Sequence, residues 1–290
     1  MSVARSRRGT HPRGRGGVAF EGIRTDRTHG ARFLGAEALT ALARAVNSWS
    51  SLSDAALPDA IRTAARDLEQ TQPAMGPFLR WANDLRGIAR SDARRNPLGR
   101  VRSWIRRERA CLREERHGLV RTSRGRFPRA RLVVTLSRSQ SVLWALEAAP
   151  GSRRPGRVAV LESLPGGEGR VFAKALRERG LSARVIPDAQ GIAAVVTADL
   201  LIIGADAVFS DGSVVHKVGT RALARAAFRS GVPVVVVAGR SKFAHRRPPH
   251  RALPSMFDRT PARYVTEFWT DQGVRRGGVQ RSRRPRRTSL

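Results

Sequence analysis

Residues 199–206 read DLLIIGAD, four large aliphatics in succession followed by Gly-Ala-Asp. The run is too short for a helix and apolar on both faces, so it predicts a strand covered on both sides. Five further runs share its character: RLVVTLS (131–137), RVAVLES (157–163), ARVIPD (183–188), VPVVVVAGR (232–240) and RYVTEFWTD (263–271). Helical candidates stand between them at 139–148, 167–180, 189–197 and 216–230. Strands alternating with helices predict a doubly wound parallel sheet, a Rossmann-like α/β domain over residues 131–275. Asp211-Gly212, between AVFS and SVVH, predicts a small hairpin inserted after the fourth strand.

The first half has a different period. Leu39, Leu42 and Val46 recur at helical spacing, as do Ile61, Ala65 and Leu68 behind a Ser53-Asp54 start with Pro58 in the first turns. Phe78, Ala82 and Leu85 follow Pro77, and Leu98, Val101, Ile105 and Leu112 run to an expected stop at His117-Gly118. The expected organisation is a basic, disordered tail over 1–32, a helical N-terminal domain over 33–118, a linker over 119–130, the α/β domain over 131–275, and a second basic, disordered tail over 276–290.

The composition bounds the function. Hydrophobic residues make up 41% of the 290, enough to bury a core. There is no apolar run of about 18 residues and no apolar stretch behind the N-terminal arginines, so neither a membrane span nor a secretory signal is expected. A single cysteine, Cys111, excludes a disulfide framework and a cysteine-based zinc site, and a reducing, cytoplasmic setting is the simplest expectation. Cys111 lies in a helix among charged residues with no group placed to activate it, so it reads as a small buried hydrophobe.

The formal net charge of +32 is unevenly spread. Residues 1–32 hold eight arginines against two acids, residues 86–131 sixteen against four, and residues 272–290 seven against none. Such stretches, the tails above all, can attract nucleic acid or another polyanion non-specifically, although they carry no interleaved aromatics for stacking on bases. Only Lys174, Lys217 and Lys242 are lysines. In a chain that otherwise uses arginine, a lysine marks a place where a compact ammonium suits better than a fork.

In open α/β sheets ligands collect at the carboxyl ends of the strands. Here those ends carry Thr135 and Ser137, Glu162 and Ser163, Asp188, Asp206, and Arg240 with Ser241 and Lys242. Hydroxyls, carboxylates and cations therefore converge on one edge, which predicts a polar crevice for a small ligand. Ser137-Arg138-Ser139 opens a helix whose free N–H groups favour an anion, and GGEGR (166–170) opens the next one, with Glu168 and Arg170 inside it. Asp206 emerges from a buried strand, where desolvation should raise its pKa and suit it to give up a proton. His216 and Lys217 follow the hairpin and can return a cation to the same crevice. There is no P-loop, GxGxxG fingerprint or metal-ligand spacing, and no cofactor or metal is expected.

LESLPGGEGRVFAKAL, LLIIGADAVFSDGSVVHKVGTRALARAA, SGVPVVVVAGRSKF and MFDRTPARYVTEFWTDQGV resemble successive blocks of one superfamily. It comprises the α, β and δ subunits of translation initiation factor 2B, methylthioribose-1-phosphate isomerase and ribose-1,5-bisphosphate isomerase. The resemblance covers about residues 130–275 and extends weakly through 26–42 and 71–83. It implies a helical N-terminal domain on a Rossmann-like domain, a homodimer formed through the latter, and a phosphorylated small molecule as ligand.

In the isomerases a cysteine after the first sheet strand and the aspartate of the Gly-Ala-Asp block carry the proton transfer. The aspartate position is Asp206, but the cysteine position falls on Ser137. The isomerases' early Arg-Gly-Ala becomes His29-Gly30-Ala31, a later arginine becomes Gln72, the arginine of Glu-[Ser/Thr]-Arg-Pro becomes Leu164, and Asn-Lys becomes His216-Lys217. Losing a thiol and three phosphate-gripping arginines implies a non-catalytic member that keeps a crevice lined by Gly30, Ala31, Ser137, Arg138, Glu168, Arg170, His216, Lys217 and Lys242 around Asp206. The alternative is an aldose–ketose isomerase of a sugar 1-phosphate with Asp206, and Ser137 if active, as catalytic residues.

Overall fold

A computed structural model describes residues 18–26, 28–90, 96–127, 130–151, 154–245 and 253–278. The disorder expected for residues 1–17 and 279–290 lies outside the described residues. Helices form the first part: α1 (Glu21–Thr25), α2 (Ala31–Ser48), α3 (Leu57–Thr71), α4 (Gly76–Arg90) and α5 (Pro97–Ser123). Their apolar faces share one core in which Leu34, Leu39, Leu42, Ile61, Leu68, Phe78, Trp81 and Leu85 are fully buried. A charged pair is built into that core, Arg80 donating to Glu108, which also accepts from Trp81 Nε1 at 2.7 Å. Val18, Phe20 and Ile23 are buried in the same core. The expected tail over 1–32 is therefore too long, because apolar residues in its second half pack.

The second part runs β1 (Leu132–Leu136), α6 (Gln140–Glu147), β2 (Arg157–Leu161), α7 (Glu168–Arg177), β3 (Ala183–Ile186), α8 (Gly191–Thr197), β4 (Leu200–Ile203), β5 (Ala207–Phe209), β6 (Val214–Lys217), α9 (Thr220–Arg229), β7 (Val234–Val237), β8 (Phe243–Ala244), β9 (Phe257–Thr260), β10 (Glu267–Thr270) and β11 (Gly273–Arg276). The main sheet has the order β11-β10-β7-β4-β1-β2-β3 and is parallel except for the β10–β11 pair. All six predicted strands lie in it. Alternate residues point to opposite faces, as the strand period demands. Val133, Val160 and Ile202 pack with α6 and α7, while Val134, Leu161 and Ile203 pack with α8 and α9. The chain winds from β1 outward to β3, then crosses back to place β4 on the other side of β1.

The structure corrects three details. α5 does not stop at His117-Gly118 but continues to Ser123, which takes the first residues of the expected linker. Gly118 is there because the backbone of Asp271 lies against it, where a Cβ would come within 2.4 Å of the Asp271 carbonyl. The helix predicted over 216–230 begins only at Thr220, since His216 and Lys217 pair with Asp258 and Phe257 of β9. The predicted hairpin is β5–β6, and it belongs to a four-stranded sheet β8-β5-β6-β9 that the sequence reading lacked.

The two parts are joined through α5 and the turn after β7. Glu115 is buried, and its carboxylate accepts the Ser241 N–H at 2.7 Å; Gly239 packs directly on it. Asp271 accepts the Arg240 N–H at 2.7 Å, and Arg240 reaches Glu114 at 3.0 Å. Glu115→Ala should strand the buried Ser241 N–H and open a gap beneath Gly239. The expected loss is about 1–3 kcal/mol in urea unfolding, whereas Glu115→Gln, which keeps the acceptor, should lose less.

Candidate functional site

A crevice of about 500 Å³ opens at the carboxyl ends of β1 and β4. These adjacent strands are where the winding direction reverses, the position at which open α/β sheets leave a gap between loops that turn opposite ways. Its floor is Ser137, Arg138 and Ser139 after β1 and Gly204, Ala205 and Asp206 after β4. The N-terminus of α2 closes one side, and His216, Lys217 and Lys242 close the other.

The floor is shaped by backbone contacts. Ser139 caps α6, its hydroxyl accepting the Val142 N–H at 3.3 Å. Gly204 lies against that cap, and a Cβ there would fall 2.2 Å from Ser139 Oγ. Ser137 adopts a left-handed φ of 57° and donates its N–H to Ser163 Oγ at 2.6 Å. Ser163, also left-handed at 65°, donates its own N–H to Asp188 at 2.8 Å. The ends of β1, β2 and β3 are thus stitched together through Ser137, Ser163 and Asp188.

Asp206 is enclosed by protein on every side except the crevice. Burial pushes its carboxyl above the usual range, against the pull of Lys242, His216 and Lys217 and of a hydrogen bond from the Ala31 N–H. Burial acts on Lys242 in the opposite sense and lowers it, while Asp206 and Glu115 hold its charge. Lys217 is buried and gives a 2.7 Å ion pair to Glu168 Oε1. His216 is only 5% exposed, and neither ring nitrogen has a hydrogen-bond partner; Asp258 is the nearest carboxylate, at 3.4 Å from Nδ1. A buried imidazole with two unmet nitrogens on a crevice wall is a site for a polar ligand atom, because such groups otherwise find partners.

The structure brings Gly30, Ala31, Ser137, Arg138, Asp206, His216, Lys217 and Lys242 together on this crevice. Two expected residues stand apart. Arg170 points away, 65% exposed and paired with Glu162 at 2.8 Å, because the first turn of α7 directs it along the outside of the sheet. Glu168 does not line the crevice but steadies Lys217 from behind. Arg32 went unforeseen: its guanidinium lies 4.9 Å from the Trp144 ring, Nη2 donates to the Leu112 carbonyl at 2.6 Å, and buried Nε has no partner. Its place in the first turn of α2, directly after Gly30-Ala31, was the available signal.

The positions set apart by the resemblance are occupied structurally. Gln72 turns its amide to the Ile23 carbonyl at 2.7 Å. His29 stacks on Phe33 and bonds Asp26 at 2.8 Å. Burial would raise Asp26, but hydrogen bonds from His29 and Thr28 hold it well below the usual carboxylate range. Leu164 is exposed. Cys111 meets Arg240 Nε at 2.8 Å, yet burial pushes its thiol up to about 11, consistent with an inert side chain. Among the described residues, no group of three or more His, Cys, Asp or Glu side chains is placed to hold a metal ion, and no helix is long and apolar enough to cross a membrane.

The chain is similar to known proteins in sequence and fold. The sequence profile of the Initiation factor 2 subunit family matches residues 27–254. The translation initiation factor eIF-2B subunit 2-like protein of Pyrococcus abyssi is 30% identical over 269 residues, which is 87% of this chain and 93% of that protein. The ribose 1,5-bisphosphate isomerase of Haloferax volcanii is 31% identical over 205 residues, 68% of this chain and 62% of that protein. The crystal structure of the Pyrococcus horikoshii translation initiation factor eIF-2B superposes with a TM-score of 0.73 at 25% identity, covering 88% of this chain and 94% of the other. A chain of the tetrameric eIF2B β2δ2 complex from C. thermophilum superposes with a TM-score of 0.74 at 18% identity, covering 88% of each, and shares the fold.

Gly204→Ala should drive a methyl into the short Ser139 side chain that caps α6, so that the cap must shift. The expected cost is about 1–3 kcal/mol in chemical denaturation, with weakened binding of any anion in the crevice.

Proposed function

Because this chain belongs to the Initiation factor 2 subunit family, we propose that it is a non-catalytic member that binds a phosphorylated sugar or nucleotide in the switch-point crevice and works as a dimer. The observation that carries the reading is the make-up of the crevice. Lys217, Lys242, Arg32 and Arg138 surround one half-buried carboxyl, His216 offers two unmet nitrogens, and the position after β1 holds a hydroxyl in place of a thiol.

The chemistry follows from these side chains. The crevice can attract a small anion, since Arg138 is exposed at the α6 N-terminus and carries no ion pair among the described residues. His216 can donate to a phosphate oxygen or accept from a hydroxyl, and the Asp206 carboxyl, whose pKa burial raises, can donate to one when protonated. Ser137 is a poor proton carrier: an alcohol is far less acidic than a thiol of pKa about 8.5. Among the described residues no hydrogen bond links Ser137 Oγ to a base, and the nearby Ser163 Oγ is engaged by the Ser137 N–H and turned to the Leu161 carbonyl. The name of one relative, ribose 1,5-bisphosphate isomerase, supports a ribose-phosphate type of ligand.

The second reading, an aldose–ketose isomerase of a sugar 1-phosphate, is supported by Asp206 and by the ribose 1,5-bisphosphate isomerases among the relatives. It would leave Asp206 to move the proton with no partner of matched acidity at Ser137.

Two measurements test these readings. A ligand present at a hundred times its Kd adds about 2.7 kcal/mol, so a matching sugar phosphate or nucleoside monophosphate should raise the melting temperature by roughly 5 °C or more. The gain should grow as the pH falls through the raised titration of Asp206, because protonation removes the one negative charge facing the anion. Asp206→Asn should keep the gain at pH 8. If no phosphorylated compound moves the melting temperature, the binding reading fails. Turnover of ribose 1,5-bisphosphate or methylthioribose 1-phosphate that disappears in Asp206→Asn would establish the isomerase instead.

A further inference from the structure

α5 carries a row of arginines of which only Arg116 lines the crevice. Arg102, Arg106, Arg109, Arg113 and Arg116 are separated by four, three, four and three residues, the spacing that keeps side chains on one face of a helix. All but the half-buried Arg109 are exposed, and Arg124, at the C-cap, is exposed as well. From Arg102 to Arg124 the row spans about 33 Å at 1.5 Å per residue.

The three carboxylates of α5 are all turned to other partners. Glu108 receives Arg80 and Trp81, Glu115 receives Ser241, and Glu114 pairs with Arg240. Among the described residues no carboxylate pairs with Arg102, Arg106, Arg113 or Arg116, and Arg106 reaches only the Ser103 hydroxyl. On α3 the exposed Arg62 sits beside Asp59 at 2.5 Å, and Arg86 of α4 is paired with Glu69. Arg221, Arg225 and Arg229 of α9 also carry no ion pair among the described residues, but they span only about 12 Å at 1.5 Å per residue, so the α5 row differs by its length. Like charges three and four residues apart destabilise a helix, so an acid-free row is an arrangement that a polyanion would relieve.

We propose that this face of α5 binds the phosphate backbone of double-stranded DNA without regard to sequence, independently of the crevice. The row is about as long as one turn of B-form duplex, roughly 34 Å. It displays no aromatic side chain for stacking on unpaired bases, Trp104 being buried in the helical core. Guanidinium forks suit phosphate oxygens, and each contact displaces a condensed counterion.

The test is fluorescence anisotropy of the full chain with a labelled, mixed-sequence DNA duplex of about two turns, between about 50 and 200 mM salt. The wild type should bind with log K falling linearly in log salt. The variant Arg102→Gln/Arg106→Gln/Arg113→Gln/Arg124→Gln should lose at least tenfold in affinity at the lowest salt and show a slope shallower by about 3–4, at about 0.9 per phosphate released. A charge-matched control, Arg157→Gln/Arg184→Gln/Arg225→Gln/Arg229→Gln, removes four exposed cations from the sheet domain and should keep nearly the wild-type slope. Equal losses in both variants would assign binding to net charge alone and overturn the proposal. Tighter binding of single-stranded DNA or of duplex RNA than of duplex DNA would overturn it as well, as would no binding at all. Should circular dichroism show the quadruple ridge variant unfolded, Arg106→Gln/Arg113→Gln is read instead, with an expected slope change of about 2.

Discussion

Asp206 is gripped through every polar group it has. Its N–H donates to the Val215 carbonyl of β6 at 2.8 Å, its carbonyl accepts the Gly76 N–H at the start of α4 at 2.7 Å, and its carboxyl takes the Ala31 N–H at the start of α2. One residue thereby fixes the main sheet, the small sheet and two helices of the N-terminal part relative to one another. Gly76 completes the junction, since a Cβ there would overlap the Lys242 carbonyl at 2.1 Å. The crevice is the space left where these four elements converge, so the geometry of the site and the joining of the two parts are one constraint.

That arrangement sets the electrostatics. A carboxyl and an ammonium buried side by side each disfavour ionisation, and each restores some of the other's charge. Burial raises Asp206 and lowers Lys242, and the attraction between them opposes both shifts. Glu115 extends the same balance into α5, where burial pushes its carboxyl up while Ser241 and Lys242 draw it back. Lys217 is separately neutralised by Glu168. The buried cations are therefore largely committed, and the free capacity of the crevice lies with His216, Arg138 and the Nε of Arg32.

Much of this was legible in the sequence because it rests on local signals. Runs such as LLIIGAD (200–206) between helical stretches fit a covered parallel sheet, so the six strands, their helices and the polar edge at Ser137, Asp206 and Lys242 follow from pattern. What escaped depends on pairing between distant segments. Val214–Lys217 reads as the approach to a helix until Phe257–Thr260, some forty residues on, supplies its partner strand. Gly118 looks like a helix stop, and only the backbone of Asp271 reveals it as a point of close approach. Arg170 has the right neighbours in sequence but the wrong side of the α7 turn, and Arg32 has the converse.

The loop after β1 separates shape from chemistry. Ser137 and Ser163 both sit at left-handed φ, a conformation costing about 1–3 kcal/mol for a residue with a side chain. The cost is offset because Ser137 N–H, Ser163 Oγ, Ser163 N–H and the Asp188 carboxylate form one continuous chain of hydrogen bonds. None of these bonds uses the Ser137 side chain. The turn that presents position 137 to the crevice is therefore specified by backbone and by neighbours, and it would hold a thiol or a hydroxyl equally well. The crevice around position 137 can on this account keep its form whichever side chain stands there.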